Sequence, residues 1–204
     1  MSQARVRTRL IAAVVAVTAI VYVGCGADEV ASPARAEVSP AGERATGETT
    51  TSGPAEDFEA QAADFEYLNE MTAVRGFFLD NRLGHLDEAV AIAEANEGGV
   101  YPVGTIIQLI PTEAMVKRAP GFSPETSDWE FFFLDVTEDG TEIIDRGTDQ
   151  VVNQFGLDCA SCHLLAEPKF DMVCETGATD HGCDPLPIGR DVIDAVQAAD
   201  PRPR

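Results

Sequence analysis

Apolar and polar residues follow two different periods along this chain, and the helical period comes first. Apolar side chains recur at helical spacing over about residues 57 to 75: Phe58, Ala62, Phe65, Leu68 and Met71. This spacing predicts an amphipathic first helix. The segment "LDEAVAIAEANEGG" predicts a second helix, because acids occupy its first turn and Gly98 and Gly99 provide a stop.

β-Branched and aromatic residues dominate the next part of the chain and change the period. "VGTIIQLI" lies between Pro102 and Pro111 and predicts a buried strand. "DWEFFFLDV" and "TEIIDR" flank "TEDG", which predicts a hairpin with Gly140 at its turn. Two apolar sets alternate along the first hairpin strand: Trp129, Phe131 and Phe133, then Phe132, Leu134 and Val136. We therefore expect both faces of that strand to be covered.

Helical spacing returns towards the C-terminus. "TDQVVNQF" predicts a helix that runs into "CASCH", in a stretch that Pro168 ends, and "RDVIDAVQAAD" predicts a short terminal helix before Pro201. The Pro- and Gly-rich "KRAPGFSPETS" is expected to connect strands. Helices, a group of strands and then a helix carrying "CASCH" predict an α+β domain.

The N-terminal 24 residues read as an export signal. Arg5, Arg7 and Arg9 precede an apolar run from Leu10 to Val23, which is too short to span a bilayer. The run ends in "YVGC", which resembles a bacterial lipobox and predicts lipidation of Cys25. The alternative is cleavage at a nearby small residue, which would release a soluble exported protein. Either route takes the chain out of the cytoplasm.

Residues 25–56 are expected to be a disordered tether between that cysteine and a domain over residues 57–198. After Cys25 they lack aromatic residues and are rich in Ala, Gly, Ser, Thr, Pro and Glu, so they bury too little apolar surface to offset ordering entropy. A lipid, a flexible spacer and a folded domain predict a protein anchored to a bacterial membrane in the periplasm.

The formal charge of −21 makes nucleic acid an unlikely partner, because an acidic surface repels phosphate. Such acidity chiefly favours solubility, and it would also steer a basic redox protein towards this chain.

The five cysteines fall into three groups. Cys25 belongs to the signal junction, whereas Cys159 and Cys162 belong to "CASCH". In an oxidising compartment the remaining pair, Cys174 and Cys183, is expected to form a disulfide. Closing so short a loop would stabilise the fold by about 2–3 kcal/mol.

The Cys-x-x-Cys-His motif allows several interpretations. A structural zinc site needs four ligands, and Cys174 and Cys183 lack the close spacing of a zinc ribbon. A redox dithiol would favour a βαβ setting and would make no use of the histidine. A covalent haem c uses every residue: Cys159 and Cys162 form thioethers with the vinyl groups and His163 binds iron as an axial ligand. The motif therefore predicts one covalent haem.

No residue stands out as the second axial ligand. Met172, the sole methionine after His163, lies only nine residues further along and is expected in the core. An open or weakly ligated second axial position favours binding of a small ligand or action on a small substrate.

The pattern of "YPVGTII", "DWEFFFLDV" and a late "CASCH" resembles cytochrome P-460 and the related cytochrome c′-beta proteins over about residues 57 to 185. The resemblance implies a mostly antiparallel sheet packed with helices, a haem-binding helix near the C-terminus, and Cys159, Cys162 and His163 as the haem residues. It implies binding of nitric oxide for the c′-beta members and oxidation of hydroxylamine for cytochrome P-460, whose haem is cross-linked to a lysine.

One departure separates this chain from the hydroxylamine enzyme. "PVGTIIQLIP" has no lysine, and the chain contains only Lys117 and Lys169. The sequence thus predicts a membrane-tethered periplasmic c-type cytochrome for electron transfer or for binding a nitric-oxide-type ligand, with hydroxylamine oxidation as the alternative. The expected partner is a redox protein or a small gaseous or nitrogen-containing ligand, and a homodimer is left open.

Overall fold

A computed structural model describes residues 56–175 and 181–204 of the chain. The predicted signal peptide 1–24, the lipidation site Cys25 and nearly all of the tether 25–56 lie outside the described residues and stay predictions. Among the described ranges, no helix combines the length and the hydropathy that a membrane span requires.

One antiparallel sheet of six strands forms the centre of the described chain, and its strands follow one another in sequence order. The strands are β1 (Thr72–Val74), β2 (Phe77–Asn81), β3 (Thr105–Gln108), β4 (Glu113–Lys117), β5 (Trp129–Thr137) and β6 (Gly140–Gly147). The helices are α1 (Leu86–Glu94), α2 (Cys159–His163) and α3 (Arg190–Ala198). Short 3-10 turns lie at Ala62–Asp64, Leu68–Glu70, Pro124–Thr126 and Pro168–Phe170. The predicted α+β class and the antiparallel sheet are therefore confirmed.

The two faces of the sheet are both covered, as the alternation along β5 predicts. The motif face carries the cluster that contains Ala160 of "CASCH", and the sheet supplies to it Phe77, Leu79, Ile107, Met115, Trp129 and Phe131. The far face packs against residues that precede the sheet, and the sheet supplies to it Ile106, Ala114, Val116, Phe132 and Leu134. The motif thus lies on one defined side of the sheet.

Several predicted elements are confirmed. Helix α1 begins at Leu86, helix α3 covers Arg190–Ala198, and "GTIIQLI" contains β3. The hairpin of β5 and β6 pairs Thr137 with Gly140 at its turn. The sequence pattern did not predict β4, which lies between β3 and β5. This strand has only five residues, and its last residue, Lys117, is the first residue of the segment that was expected to connect strands.

The prediction of a helix over residues 57 to 75 is wrong, since this stretch forms two 3-10 turns and β1. Its backbone groups are bound by distant residues instead of by a helical ladder. The carbonyl of Phe65 accepts hydrogen bonds from Thr141 Oγ1 at 3.0 Å and from Arg202 Nη1 at 3.1 Å. The amide of Leu68 donates to Asp200 Oδ2 at 2.9 Å. These tertiary contacts override the helical spacing.

The predicted helix "TDQVVNQF" is also wrong. Residues 148–158 are irregular, and a single bridge joins Val152 to Asp158. The side-chain oxygen of Asn153 accepts hydrogen bonds from the amides of Phe155 and Leu157, both at 3.0 Å. An asparagine that binds the backbone in this way favours a turn over a helix. The motif helix α2 therefore begins only at Cys159.

The C-terminal residues fasten the end of the chain to the sheet. Gln197 Nε2 donates to the carbonyls of Gly76 at 3.0 Å and Leu109 at 2.7 Å. Beyond α3, Asp200 and Arg202 form a fully buried ion pair with an N···O distance of 2.7 Å. The packed chain thus continues past residue 198.

Candidate functional site

The motif residues are presented by the short helix α2. The carboxylate of Asp158 accepts a hydrogen bond from the amide of Ser161 at 2.7 Å and caps the helix N-terminus. Hydrogen bonding from Ser161, by its side chain first and by its amide second, lowers the pKa of Asp158. The amide of Cys159 donates to the carbonyl of Val151 at 3.0 Å, which ties the start of the helix to the chain after β6. One turn of helix thus fixes both cysteines and the histidine relative to the sheet.

The imidazole of His163 is held in one tautomer by a backbone group. Its Nδ1 lies 2.8 Å from the carbonyl oxygen of Met172. Because a carbonyl oxygen only accepts, Nδ1 carries the proton and Nε2 keeps its lone pair. Burial lowers the pKa of His163, so the ring is neutral. A neutral imidazole oriented through its other nitrogen is the usual form of a metal-ligating histidine.

The Met172 carbonyl is itself positioned by strands of the sheet. Asp171, the residue before Met172, accepts hydrogen bonds from Lys117 Nζ at 2.6 Å and from the amide of Tyr101 at 2.9 Å. The carbonyl of Asp171 accepts the indole N–H of Trp129 at 2.7 Å. Asp171 and Met172 both have positive φ, of 52° and 65°. This tight backbone turn, anchored on β4 and β5, delivers the carbonyl to His163.

The four described cysteines divide as the sequence predicts. Cys174 and Cys183 form the predicted disulfide, whereas Cys159 and Cys162 are free thiols. The disulfide removes two thiolates that a four-cysteine zinc site would need. Within residues 56–175 and 181–204, no group of three or more His, Cys, Asp or Glu side chains is arranged to hold a metal ion.

The two free thiols are poor candidates for a redox dithiol. Burial, with nearby acids adding to it, raises the pKa of Cys159 to about 12 and also raises the pKa of Cys162. A reactive dithiol needs the opposite, a lowered pKa that exposes thiolate at neutral pH. The local chemistry at these cysteines therefore disfavours thiol–disulfide exchange.

A cavity of about 360 Å³ opens between the sheet and α2. The motif supplies Cys159, Cys162 and His163 to its lining. The sheet side of the lining is mainly apolar: Phe77, Ile107, Leu109, Met115 and Phe131. The disulfide and the segment that follows it, residues 183–188, close another side. The cavity thus combines a neutral imidazole and two thiols with a large apolar wall.

Glu113 is the one ionisable residue that the sheet contributes to this cavity within the described chain. Its Oε1 is buried without a hydrogen-bond partner, and burial raises the pKa of Glu113 from 4.5 to about 7. The sequence pattern did not single it out. The available indication was an acid in "EAMVK", on the same side of a strand as Met115.

Neither lysine reaches the cavity. Lys117 Nζ is bound to Asp171 and to the carbonyl of Ser127 at 2.7 Å, and it is not part of the cavity lining. Lys169 lies 3.6 Å from Glu167 at the surface. Leu109 occupies the cavity wall directly after β3 instead.

The buried carboxyl of Glu113 predicts a stability that depends on pH. Its pKa is higher in the folded than in the unfolded state, so stability is largest in acid and falls as pH rises from about 4.5 to about 7. We expect Glu113→Gln to raise the free energy of unfolding at about pH 8 by up to about 3 kcal/mol. We expect little change at about pH 4.

Urea unfolding of the full chain at the two pH values checks this. Glu142→Gln, at an exposed position on β6, is the matched control and should change neither value. A Glu113→Gln variant that is no more stable than the parent at about pH 8 would contradict the prediction.

Comparison with known proteins found no match among family models, curated proteins or solved structures.

Proposed function

We propose that this chain is an exported c-type cytochrome that holds one haem covalently, with Cys159 and Cys162 as the thioether tethers and His163 as an axial iron ligand. The observation that carries the proposal is the juxtaposition of three features in one cavity. Two free thiols and an imidazole with an available Nε2 face the same apolar wall. A porphyrin needs such a wall for its apolar face and such donors for its iron and vinyl groups.

The residues fit a c-type haem better than they fit the other ligands of the motif. The disulfide leaves two thiols for attachment, and the Met172 carbonyl presets the histidine tautomer that iron binding requires. When bound, the haem would supply a redox-active iron that takes up an electron or a small ligand. The chain would contribute orientation through His163 and exclusion of water through the apolar sheet wall.

Electron transfer or binding of a small ligand of the nitric-oxide type is the role that this site supports best. The sheet wall is mostly hydrocarbon, which suits a small neutral ligand. The resemblance to cytochrome c′-beta proteins points the same way. The alternative, hydroxylamine oxidation with a lysine–haem cross-link, is disfavoured because Lys117 is committed to Asp171 and lies outside the cavity lining.

The proposal extends to the place where the protein acts. The apolar N-terminal run, the "YVGC" junction and the composition of residues 26–56 support a lipid-anchored periplasmic protein. c-type haem attachment takes place in that compartment, and the Cys174–Cys183 disulfide suits it as well.

The test is maturation of the full chain in a host that attaches c-type haem. We expect haem that stays with the polypeptide on a denaturing gel and a pyridine haemochrome spectrum of two thioether links. A ferrous Soret band at the ordinary c-type position supports the cytochrome, whereas a strongly red-shifted band would favour the cross-linked enzyme. Absence of haem with bound zinc would overturn the proposal in favour of a metal-stabilised binding protein.

A further inference from the structure

A single carboxyl group breaks the apolar character of the sheet wall. Glu113 opens β4, where it lies opposite Phe133 of β5, and it shares the motif face with Met115. Its backbone carbonyl accepts a hydrogen bond from Gln108 Nε2 at 3.5 Å. Its side-chain atom Oε1, in contrast, is buried and has no hydrogen-bond partner. A buried polar atom without a partner is destabilising, so Oε1 is a group that a polar molecule in the cavity would satisfy.

Within the described chain, the cavity beside Glu113 is lined by no cationic side chain that would hold the carboxyl ionised. The other acids that line the cavity are Asp158 before α2, Glu175 beside the disulfide and Asp184 after it. The remaining titratable groups of the lining are Cys159, Cys162 and His163 on α2. No Lys or Arg belongs to the cavity lining among the described residues.

Two of the other acids that line the cavity, Glu175 and Asp158, are bound by other groups, whereas Glu113 Oε1 has no partner. Glu175 accepts a bidentate pair of hydrogen bonds from Arg75, at 2.9 and 2.7 Å. Asp158 is bound to the amide of Ser161. Lys117, on the same strand as Glu113, is bound to Asp171. Glu113 is therefore the group of this wall that can gain a proton near neutral pH and offer it to a molecule in the cavity.

We propose that Glu113 determines which small ligand the cavity takes: its protonated carboxyl donates a hydrogen bond to a small anion, which therefore enters together with one proton. The proton stays on the carboxyl and is shared with the anion, so the pair carries one negative charge instead of the two that the anion and an ionised carboxylate would carry. Ionised Glu113 repels the same anion in a cavity of low polarity. This inference rests on the proposed haem function, because the anion is bound beside the haem.

The ligand class follows from the geometry. On the sheet side of the cavity, Glu113 is the ionisable group that can form a hydrogen bond, and the other lining side chains are mainly apolar. The cavity therefore suits an anion of a few atoms. A small uncharged ligand without a strong acceptor atom gains nothing from Glu113. Affinity for it should not depend on pH.

The experiment compares two probes on the haem-loaded full chain. Azide, an anion throughout the range, is titrated into the ferric protein between about pH 5.5 and about pH 8.5. Carbon monoxide, which is uncharged, is titrated into the ferrous protein over the same range. Binding is measured from the change in the haem absorption spectrum for the parent, for Glu113→Gln and for the exposed control Glu142→Gln.

We expect the azide affinity of the parent to fall about tenfold per pH unit above about pH 7. Glu113→Gln keeps a neutral donor and cannot ionise, so its azide affinity should be nearly constant and exceed that of the parent by about tenfold or more at about pH 8.5. Carbon monoxide should bind all three proteins alike at every pH.

The experiment separates a failure of the Glu113 inference from a failure of the proposed haem function. An azide affinity that is independent of pH in the parent, or that falls equally in Glu113→Gln, overturns the inference and leaves the haem protein intact. A pyridine haemochrome assay without covalent haem overturns the proposed function and this inference with it. The unfolding measurement on Glu113→Gln reads the protonation of the same carboxyl without any ligand.

Discussion

Replacing Cys162 by serine should abolish stable haem attachment. A serine hydroxyl does not form the thioether, and Cys162 is one of two thiols that the structure leaves free beside the cavity. We expect haem that stays with the polypeptide on a denaturing gel to fall at least about tenfold relative to the parent at equal protein. A haem-stained gel and a pyridine haemochrome assay measure this loss.

The matched control removes the other cysteine pair. The double variant Cys174→Ser, Cys183→Ser should retain its haem, because its two sulfur atoms are used in the disulfide. It should lose about 2–3 kcal/mol of unfolding free energy, since a short covalent loop no longer restricts the unfolded chain. Covalent haem retained by Cys162→Ser, or lost from the double variant, would contradict the assignment of tethers and disulfide.

The second large effect concerns the buried ion pair beneath the site. Asp171 and Lys117 both have side chains less than a tenth exposed, and the carboxylate also accepts the amide of Tyr101. Burial raises the pKa of Asp171, and the Lys117 ammonium opposes that shift. Asp171→Asn keeps the shape and the tolerance of positive φ but leaves the ammonium without its countercharge. We expect it to lower the free energy of unfolding by about 3–5 kcal/mol.

Urea unfolding of the full chain tests this against a surface pair. Asp194→Asn removes the carboxylate that pairs with Arg190 on α3, where the two side chains are 57% and 39% exposed, and should cost less than about 1 kcal/mol. The double variant Lys117→Met, Asp171→Asn should recover part of the loss, because it removes the stranded charge. A cost for Asp171→Asn no larger than that for Asp194→Asn would mean that the carboxyl carries no charge in the fold.

The sequence predictions were correct where neighbouring residues determine the structure and wrong where contacts with distant residues determine it. The alternation along β5 was predicted correctly because period-two patterning is a property of one strand between two apolar clusters. The pairing of Cys174 with Cys183 was predicted correctly because these two cysteines remained after the other three were assigned, and an exported chain meets oxidising conditions. The first helix was predicted wrongly because Phe65 and Leu68 are bound by residues near the C-terminus, which no local pattern reveals.

The candidate site was predictable only in part, for the same reason. "CASCH" named its own three residues, but the groups that act on them come from elsewhere in the chain. The partner of His163 is a backbone carbonyl in a left-handed turn, which leaves no trace in residue type. Glu113 reaches the cavity through the register of β4 against β5, which depends on the whole sheet.

The carbonyl of Met172 has a consequence for how this protein can vary. A histidine oriented by a carboxylate loses its support when one codon changes, whereas every amino acid at position 172 would still supply a carbonyl oxygen. What must persist is the backbone turn, with its φ of 65° at Met172. Substitution at position 172 is therefore limited by the backbone conformation. Asparagine and glycine are the replacements that adopt such a turn most readily. The orientation of His163 is in this sense robust to mutation at its contact residue and sensitive to mutation at Asp171, Lys117 and Trp129, which shape the turn.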